Sequence, residues 1–159
     1  MVSARASTSR QCKASKETLW NILADVDNWH KWASDTTSKT HMISHKIVQR
    51  ESNNVLVCDE EEIVGGYRIK HRDRYTFYPK ERITEEIIEG PISGIFDLRV
   101  IETSDRGTTK LIWDFDVKAK SLKFKIIGLF KGRSIVQGVA NEYCRQLAEY
   151  AEVQQQRIK

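Results

Sequence analysis

Hydrophobic and polar residues alternate with two different periods along this chain, and the changes of period divide it into three parts. The first part opens with "VSARASTSRQC", whose weak alternation predicts a strand. Apolar residues at helical spacing follow in "ASKETLWNILADV", with Ser15 placed as the cap of that helix. The segment "DNWHKWA" predicts a second short helix that is opened by Asp27 or Asn28.

The middle part, from about Ser38 to Lys118, follows a period of two and contains turn sequences at close intervals. These turn sequences are "ESNN", "GG", "YPKE", "GPISG" and "SDRG", and they separate six predicted strands. Strands that are joined by such short turns pair with their neighbours in sequence. The middle part therefore predicts an antiparallel meander.

After Lys120 the period becomes helical again and predicts one long C-terminal helix with an apolar face. The apolar positions are Ile126, Leu129, Ile135, Val136, Val139, Tyr143, Leu147 and Tyr150. A curved sheet has a face that must be covered, and this helix can cover it. The predicted fold class is α+β, with a curved antiparallel sheet of about seven strands wrapped around the long helix and two short helices after strand 1.

The Gly65–Gly66 pair predicts a register for the strands on either side, because a two-residue turn pairs the residues that flank it. On one face this register places Glu61 opposite Lys70 and Asp59 opposite Arg72. Opposite charges that meet across two strands are typical of a solvated face. We therefore expect this face to point outward.

The other face of the same hairpin is predicted to look inward, although it is partly polar. Its pairs are Val64–Tyr67, Glu62–Ile69, Glu60–His71, Cys58–Asp73 and Leu56–Tyr75. Buried charges are unfavourable unless they are paired or hydrated, so this face indicates a water-containing cavity. Two simpler interpretations stay open: Glu60 and Glu62 lie in solvent at strand ends, or His71 and Glu60 form a purely structural pair.

The hairpin around "SDRG" predicts an opposite, apolar wall. Its inward positions are Phe96, Leu98, Val100, Leu111, Trp113, Phe115 and Val117. An apolar wall that faces a few polar groups is typical of a small-molecule site. The same aromatic stripe would also fit an ordinary hydrophobic core.

Composition narrows the class of protein. The chain has 159 residues, of which 40% are hydrophobic and 30% charged, as expected for one globular domain over residues 1–159. No apolar run reaches the roughly 20 residues of a membrane span, and residues 1–16 lack the apolar centre of a signal peptide. Cys12, Cys58 and Cys144 lie far apart, so we expect reduced thiols in a cytoplasmic protein, with no metal site and no cofactor.

The net charge of +4 permits an anionic partner without requiring one. Nucleic-acid binding is not predicted, because the chain has no recognition motif and the basic strand face is paired with acids. Residues 118–133 combine lysines and an arginine with aliphatic and aromatic residues and contain no acid. This pattern suits transient contact with an anionic membrane surface, or alternatively a solvated helix start whose apolar residues pack inward.

Three segments carry a resemblance to a known superfamily. In "ASKETLWNILADVDNWHKW", Glu17 to Trp20 match an "E-x-[VL]-W" helix. An aspartate-containing turn and then Trp29 come after this helix. The segment "ERITEEIIEGPISGIF" matches a strand followed by a glycine turn, and "RGTTKLIWDFDVK" matches a strand of the "G-T-x-[LV]-x-[WY]" type. Together they resemble the START-like (SRPBCC) superfamily of helix-grip proteins, which includes polyketide cyclase-type, Bet v 1-like and coenzyme Q-binding members.

This resemblance covers nearly the whole chain and implies a seven-stranded sheet that grips the long helix around a cavity. Members of the superfamily bind hydrophobic or amphipathic ligands such as lipids, quinones and polyketides. Some catalyse cyclisation or dehydration with cavity acids and bases, whereas others carry or sense their ligand. The motifs do not select a subfamily. The tryptophans near the N-terminus are expected to pack the short helices, with Trp29 and Trp32 near a rim of the cavity.

Two functions follow as hypotheses. In the first, the chain carries or senses a hydrophobic or amphipathic small molecule (lipid, quinone or polyketide-like). The predicted contact residues are Glu60, Tyr67, Ile69, His71, Asp73, Tyr75, Leu98, Trp113, Phe115, Val139 and Tyr143. In the alternative, the chain is a cyclase or dehydratase in which His71 is the base, Glu60 orients it, and Tyr75 or Asp73 polarises a carbonyl group.

Overall fold

Seven antiparallel strands form one sheet in the structure, a computed structural model that describes residues 2–158. The strands are β1 (Ser3–Cys12), β2 (His41–Ser52), β3 (Val55–Val64), β4 (Tyr67–Tyr78), β5 (Arg82–Glu89), β6 (Ile92–Glu102) and β7 (Thr109–Ala119). Their order across the sheet is β1-β7-β6-β5-β4-β3-β2, which confirms the predicted meander and places β1 and β2 at the two edges. Met1 and Lys159, which the predicted domain includes, lie outside the described residues.

Two short helices follow β1, as predicted, but the second begins later than expected. Helix α1 (Lys16–Ala24) is capped by Ser15, whose hydroxyl accepts a hydrogen bond from the Thr18 N–H at 3.1 Å. Helix α2 spans His30–Ala33, so a start at Asp27 or Asn28 was wrong. A 3₁₀ turn occupies Val26–Asn28 instead, because the Asn28 amide donates to the Asp25 carboxylate at 2.8 Å and closes a turn there.

The long helix α3 (Leu122–Ile158) packs against β1, β7, α1 and α2. Its second half buries a continuous stripe that includes Val139, Tyr143 and Leu147, as predicted. Ile126 and Leu129, which were assigned to the same face, are instead exposed. The positions at helical spacing before Ile135 that point inward are Ile127 and Phe124. Ile126 and Leu129 therefore lie on the outer side of the helix.

The β3–β4 hairpin has the predicted register, with Val64 paired to Tyr67 and Glu60 paired to His71. Gly65 and Gly66 have φ angles of 57° and 88°, the left-handed conformation that a type I′ turn requires at both central positions. On the outer face, Arg72 Nε donates to Asp59 at 2.6 Å, so the predicted outward ion pairing is confirmed.

Bulges bend the sheet around α3. Strand β2 contains three register shifts against β3, and β5 contains one against β4, where Ile88 is the extra residue opposite Arg72 and Asp73. Each extra residue increases the local twist of the strand. Among residues 2–158, no helix combines the length and the apolar character that crossing a bilayer requires. Cys12, Cys58 and Cys144 are buried free thiols, and burial raises the pKa of Cys144 to about 11.

Candidate functional site

An internal cavity of about 100 Å³ lies between the concave face of the sheet, α2 and α3. Nine of the eleven predicted contact residues line it: Glu60, Ile69, His71, Tyr75, Leu98, Trp113, Phe115, Val139 and Tyr143. Two do not. Asp73 is fully buried behind His71, and Tyr67 lines an adjoining cavity. The cavity therefore lies where the two predicted walls face each other.

Strands β6 and β7 supply the apolar wall. The rings of Phe96 and Phe115 meet edge to face with their centroids 4.8 Å apart, and Trp113 packs 5.5 Å from Phe115. Trp113 also lies 6.3 Å from Tyr143 of α3, and this contact joins the wall to the helix. Edge-to-face and tilted pairs are the arrangements that aromatic rings prefer, so this wall is well packed and still leaves an open volume.

Strands β3, β4 and β5 supply the polar wall, and Glu60 is bound at one end of it. The Tyr75 hydroxyl donates to Glu60 Oε1 at 2.6 Å, and His45 Nδ1 lies 2.8 Å from the same oxygen. The expected pair between His71 and Glu60 is not formed, although the two residues are cross-strand neighbours. Side chains also reach diagonal partners across a sheet, and His71 takes such a partner in Glu62.

His71 is the centre of the polar wall. Its Nε2 lies 3.1 Å from Glu62 Oε2, and its Nδ1 lies 2.6 Å from Asp73 Oδ2. The Tyr143 hydroxyl donates to the other oxygen of Glu62 at 2.6 Å. Burial alone would lower the pKa of His71, but the carboxylates of Asp73 and Glu62 outweigh it and raise that pKa to about 12. His71 therefore holds its proton at neutral pH.

For Asp73, in contrast to His71, burial has the dominant effect on the pKa. Loss of hydration raises its pKa to about 7, against the lowering effect of the adjacent His71. Neither Asp73 oxygen has a hydrogen-bond partner among the described residues, because the close approach to His71 lacks the direction of a hydrogen bond. Asp73 was predicted to meet a ligand directly, but its place behind His71 makes it a neighbour of the site.

Glu85 completes the polar wall, and sequence reasoning missed it. It lies on β5 between Ile83 and Ile87, and its free surface faces the cavity. Burial, and then the nearby carboxylates of Asp73 and Glu60, raise the pKa of Glu85 well above its usual value. A signal was available in the sequence, since Ile83, Glu85 and Ile87 alternate on one face of the predicted strand.

The tryptophans of the first segment form one end of the cavity. The Trp29 ring packs edge-on against Tyr75 with centroids 4.9 Å apart, and its Nε1 donates to the Leu23 carbonyl at 3.0 Å. Trp32 also lines the cavity, and its buried Nε1 has no hydrogen-bond partner within residues 2–158. The expectation that Trp29 and Trp32 lie near the cavity is confirmed.

A second cavity of about 80 Å³ adjoins the first and lies under the beginning of α3. It is lined by Tyr67 and Phe124, whose rings are 6.3 Å apart, and by Ile127. The two cavities share Val64, Ile69, Ile92, Val117 and Val136 as lining residues. Small displacements of these side chains would join the two volumes.

Two sets of side chains in the sheet could hold a cation, although the sequence predicted no metal site. They are Glu60, Glu62 and His71, and His45, Cys58 and Glu60, and in each set the potential ligand atoms lie within 4.8 Å of one another. The register predicted from Gly65–Gly66 already places Glu60, Glu62 and His71 on one face, whereas the second set includes His45 of β2, whose register against β3 only the folded sheet shows.

Comparison with known proteins shows a shared fold. No protein-family profile matches the chain, and no curated protein sequence matches it. The solved structure of TTHA0849 from Thermus thermophilus is similar, with a TM-score of 0.78, 11% identity and coverage of 94% of this chain and 98% of that one.

Two further solved structures connect the fold with described proteins. The Zhui aromatase/cyclase from Streptomyces sp. R1128 matches with a TM-score of 0.78, 16% identity and coverage of 99% of this chain and 96% of that one. A START superfamily protein from Mycobacterium smegmatis matches with a TM-score of 0.67, 19% identity and coverage of 98% and 99%. At these identities the likeness concerns the fold and not the function. The chain therefore has the START-like (SRPBCC) helix-grip fold that its sequence motifs predicted, with no subfamily distinguished.

Proposed function

We propose that this chain binds a small hydrophobic or amphipathic molecule in the cavity, as a carrier or sensor. The observation that carries the proposal is the enclosed volume between an apolar wall on β6–β7 and a polar wall on β3–β5. Sites for small molecules are mostly apolar and contain a few placed polar groups that orient the ligand. The cavity has this composition.

The polar wall favours a ligand whose polar group accepts a hydrogen bond. Burial raises the pKa of Glu85 well above its usual value, which favours the protonated carboxyl group, and that form can donate into the cavity. His71 is also protonated. A carbonyl or quinone oxygen would accept from Glu85, while the apolar body of the ligand packs against Leu98 and Trp113. A ligand without an acceptor would leave the Glu85 O–H unsatisfied.

The size of the cavity limits the ligand. A cavity of about 150 Å³ holds a benzene ring, so the volume of about 100 Å³ admits only a small group without rearrangement. The adjoining cavity adds about 80 Å³. A lipid or polyketide would need both volumes, joined by displacement of Val64, Ile69 and Val136. We therefore expect the first half of α3 to move when a long ligand enters.

The first half of α3 also supports the proposed contact with an anionic membrane surface. Leu122, Leu129 and Phe130 are 74%, 69% and 83% exposed, so these apolar residues do not pack inward. Lys123 and Lys125 are exposed beside them. Exposed apolar and basic side chains on one helix segment match the apolar interior and the anionic headgroups of a membrane. The second cavity lies under this same segment, so docking would bring lipid close to it.

Calorimetric titration with 1,4-naphthoquinone, an apolar probe with two carbonyl acceptors that is large enough to need both volumes, tests the ligand proposal. The wild-type chain should bind it, and Leu98→Trp, which fills the cavity, should bind at least about tenfold more weakly. Ile95→Trp is the matched control, because Ile95 is on the same strand and is 60% exposed. Equal affinity of the two variants would contradict binding in this cavity. Native mass spectrometry of protein purified from extracts would identify a retained ligand.

Vesicle co-sedimentation tests the membrane proposal. Vesicles that contain phosphatidylserine should recruit the chain, and the double variant Leu129→Ser/Phe130→Ser should lose most of this binding. Val153→Ser, at an exposed position on the other half of the same helix, should behave as wild type. If anionic and neutral vesicles recruit the wild-type chain equally poorly, the proposal is wrong.

A second candidate function, a cyclase or dehydratase, is supported by the raised pKa of Glu85 inside the cavity, because it favours a carboxyl group that can donate a proton. The structure changes the roles that sequence reasoning gave to its residues. His71 holds a proton and would act as an acid and not as a base, and Glu60 contacts His45 and Tyr75 instead of orienting His71. A protonated group next to a carbonyl oxygen favours enolisation and loss of water.

Intramolecular condensation of 2,6-heptanedione tests this candidate. In this reaction one methyl ketone enolises as its C–H proton passes to water, and the enol carbon adds to the other carbonyl, whose oxygen takes a proton. Loss of one water then leaves a conjugated cyclohexenone that absorbs in the ultraviolet. An enzyme of this kind should accelerate the reaction above buffer, and Glu85→Gln should lower the rate at least about tenfold. Equal rates for wild type, Glu85→Gln and buffer would leave the carrier or sensor as the surviving function.

A further inference from the structure

Three groups of the kind that bind metal ions converge on the polar wall of the cavity. Glu60, Glu62 and His71 each offer a ligand atom that lies within 4.8 Å of the other two, and all three residues line the cavity. Zinc bonds to carboxylate oxygen and imidazole nitrogen at about 2.0–2.2 Å, so tetrahedral ligand atoms lie about 3.3 Å apart. His71 Nε2 and Glu62 Oε2 are already 3.1 Å apart.

Each carboxylate is held through one oxygen and keeps the other for a ligand. Tyr75 and His45 both contact Oε1 of Glu60. Tyr143 donates to Oε1 of Glu62, which leaves Oε2 beside His71. Metal-binding carboxylates are typically hydrogen-bonded in this way by groups behind them, because such partners hold the ligand in place before the ion arrives.

The histidine has a partner of the expected kind as well. Asp73 Oδ2 lies 2.6 Å from His71 Nδ1, on the side of the ring away from Glu62. Metal-binding histidines commonly present one ring nitrogen to the ion and the other to a carboxylate. Both oxygens of Asp73 are fully buried and have no hydrogen-bond partner among residues 2–158. A metal ion on Nε2 would displace the proton from that nitrogen, because the ligand must be a neutral imidazole, and would leave Nδ1–H 2.6 Å from the unsatisfied carboxylate of Asp73.

The carboxyl groups of the polar wall also favour the binding of a cation. Four carboxyl groups, those of Glu60, Glu62, Asp73 and Glu85, lie within or directly behind the cavity lining. The lining residues that the structure describes include no lysine and no arginine. Protonated His71 and any protonated carboxyl group compensate part of this negative charge, and a divalent ion would compensate two negative charges at once.

We infer that Glu60, Glu62 and His71 form a binding site for one divalent transition-metal ion, of which Zn²⁺ is the representative. One imidazole nitrogen with two carboxylate oxygens suits Zn²⁺, Mn²⁺ or Fe²⁺ better than Mg²⁺, which prefers oxygen ligands and retains water. Three protein ligands leave at least one coordination position open, and all three residues line the cavity. A carbonyl oxygen of a bound molecule could occupy that position.

Metal binding is measured on the full chain without any organic ligand, so its outcome is independent of the ligand proposal. The chain is stripped with a chelator, titrated with Zn²⁺ against a chromophoric chelator, and analysed for bound metal by mass spectrometry after gel filtration. The expected result is one tightly held Zn²⁺ per chain and a higher thermal unfolding midpoint. Mg²⁺ at the same concentration should not raise that midpoint.

Variants locate the ion. Glu62→Gln, which keeps the shape but removes the charge, should bind Zn²⁺ at least about tenfold more weakly. Glu61→Gln, one residue away on the outer face, and His30→Gln, an exposed histidine, should bind as wild type. If Glu62→Gln does not fold, Glu62→Asp replaces it, because that change keeps the charge and withdraws the oxygen. Co²⁺ in place of Zn²⁺ should give the visible absorption of a four- or five-coordinate site.

Two results would overturn the inference. The first is a wild-type chain that retains no stoichiometric Zn²⁺. The second is Zn²⁺ that binds equally well to wild type and to the folded Glu62 variant, which would place the ion elsewhere. In either case the polar wall would be a hydrogen-bonded network that is neutralised by protons, and the proposal of a carbonyl-accepting cavity would be unaffected.

Discussion

The β3–β4 hairpin and the β6–β7 hairpin have the same backbone plan but opposite chemistry on the face that meets the cavity. Both are antiparallel pairs whose alternate residues point inward. On β6–β7 the cross-strand neighbours are apolar, as in Phe96 with Phe115 and Leu98 with Trp113. On β3–β4 the neighbours include Glu60 with His71.

The two walls are stabilised by different kinds of contact between side chains. Contacts on the apolar wall are non-directional, so their contribution depends on the buried volume. Contacts on the polar wall depend on matched donors, acceptors and charges, so removal of one partner leaves another buried and unsatisfied. Substitutions on the two walls should therefore have different consequences, even where the residues are equally buried.

The largest expected effect follows from His71→Ala on the polar wall. The change leaves Glu62 and Asp73 without their cationic partner inside the protein, and it should lower the free energy of unfolding by about 3–5 kcal/mol. The measurement is urea denaturation at neutral pH. Arg72→Ala, the next residue on the outer face, removes a partly exposed ion pair and should lower the free energy by about 0–1 kcal/mol. Equal losses in the free energy of unfolding for His71→Ala and Arg72→Ala would contradict the expected difference between the inner and the outer face of β4.

On the apolar wall, Leu98→Ala should lower the free energy of unfolding by about 2–4 kcal/mol, because it removes buried methyl groups and enlarges the cavity. The effect should not change with pH, since no charge is involved. Ile95→Ala is the matched control on the outer face of the same strand and should stay within about 0.5 kcal/mol of wild type. A pH-dependent loss in Leu98→Ala would show that the two walls are coupled.

A smaller change tests the link between the polar wall and α3. Tyr143→Phe removes only the hydroxyl that donates to Glu62, and the loss of a buried hydrogen bond to a charged group should lower the free energy of unfolding by about 1.5–3 kcal/mol. Tyr150→Phe, at a half-buried position two turns further along the helix, should have an effect within about 0.5 kcal/mol. A stable Tyr143→Phe would show that Glu62 finds another donor.

The smallest effect concerns Glu85, and we expect it only as a change in how the free energy of unfolding varies with pH. The folded-state pKa of Glu85 lies above its unfolded value, so between the two values the folded chain binds more protons than the unfolded chain. The contribution of Glu85 to the free energy of unfolding therefore falls as pH rises through that window. Glu85→Gln cannot titrate, so its stability relative to wild type should increase from pH 4 to pH 7. Parallel profiles would contradict a protonated Glu85.

Much of the architecture could be predicted from the sequence because the responsible signals are local. Gly65 and Gly66 determine a turn whose register decides which residues of β3 and β4 face each other. The stripe through Val139, Tyr143 and Leu147 predicts the buried face of α3. These signals depend on backbone geometry and on a period within one or two neighbouring elements.

The partners inside the polar wall could not be predicted in the same way. His45 meets Glu60 only because bulges shift the register of β2. Glu85 alternates with Ile83 and Ile87 in the sequence, but only the pairing of β4 with β5 places it opposite Tyr75 in the polar wall. His71 contacts Glu62 and not Glu60, its directly opposed neighbour. This contact depends on the direction of the side chains, which strand pairing alone does not determine.

By itself, the sequence determined the order of elements, the hairpin register and the division into one apolar and one polar wall, since a period of two assigns every inward residue once the turns are known. Only the tertiary structure decided that the helix leaves an open volume, that Leu129 and Phe130 stay exposed, and that the potential ligand atoms of Glu60, Glu62 and His71 lie within 4.8 Å of one another. The physical reason is that these features depend on distances between elements, which bulges, twist and side-chain packing set together and no single segment encodes.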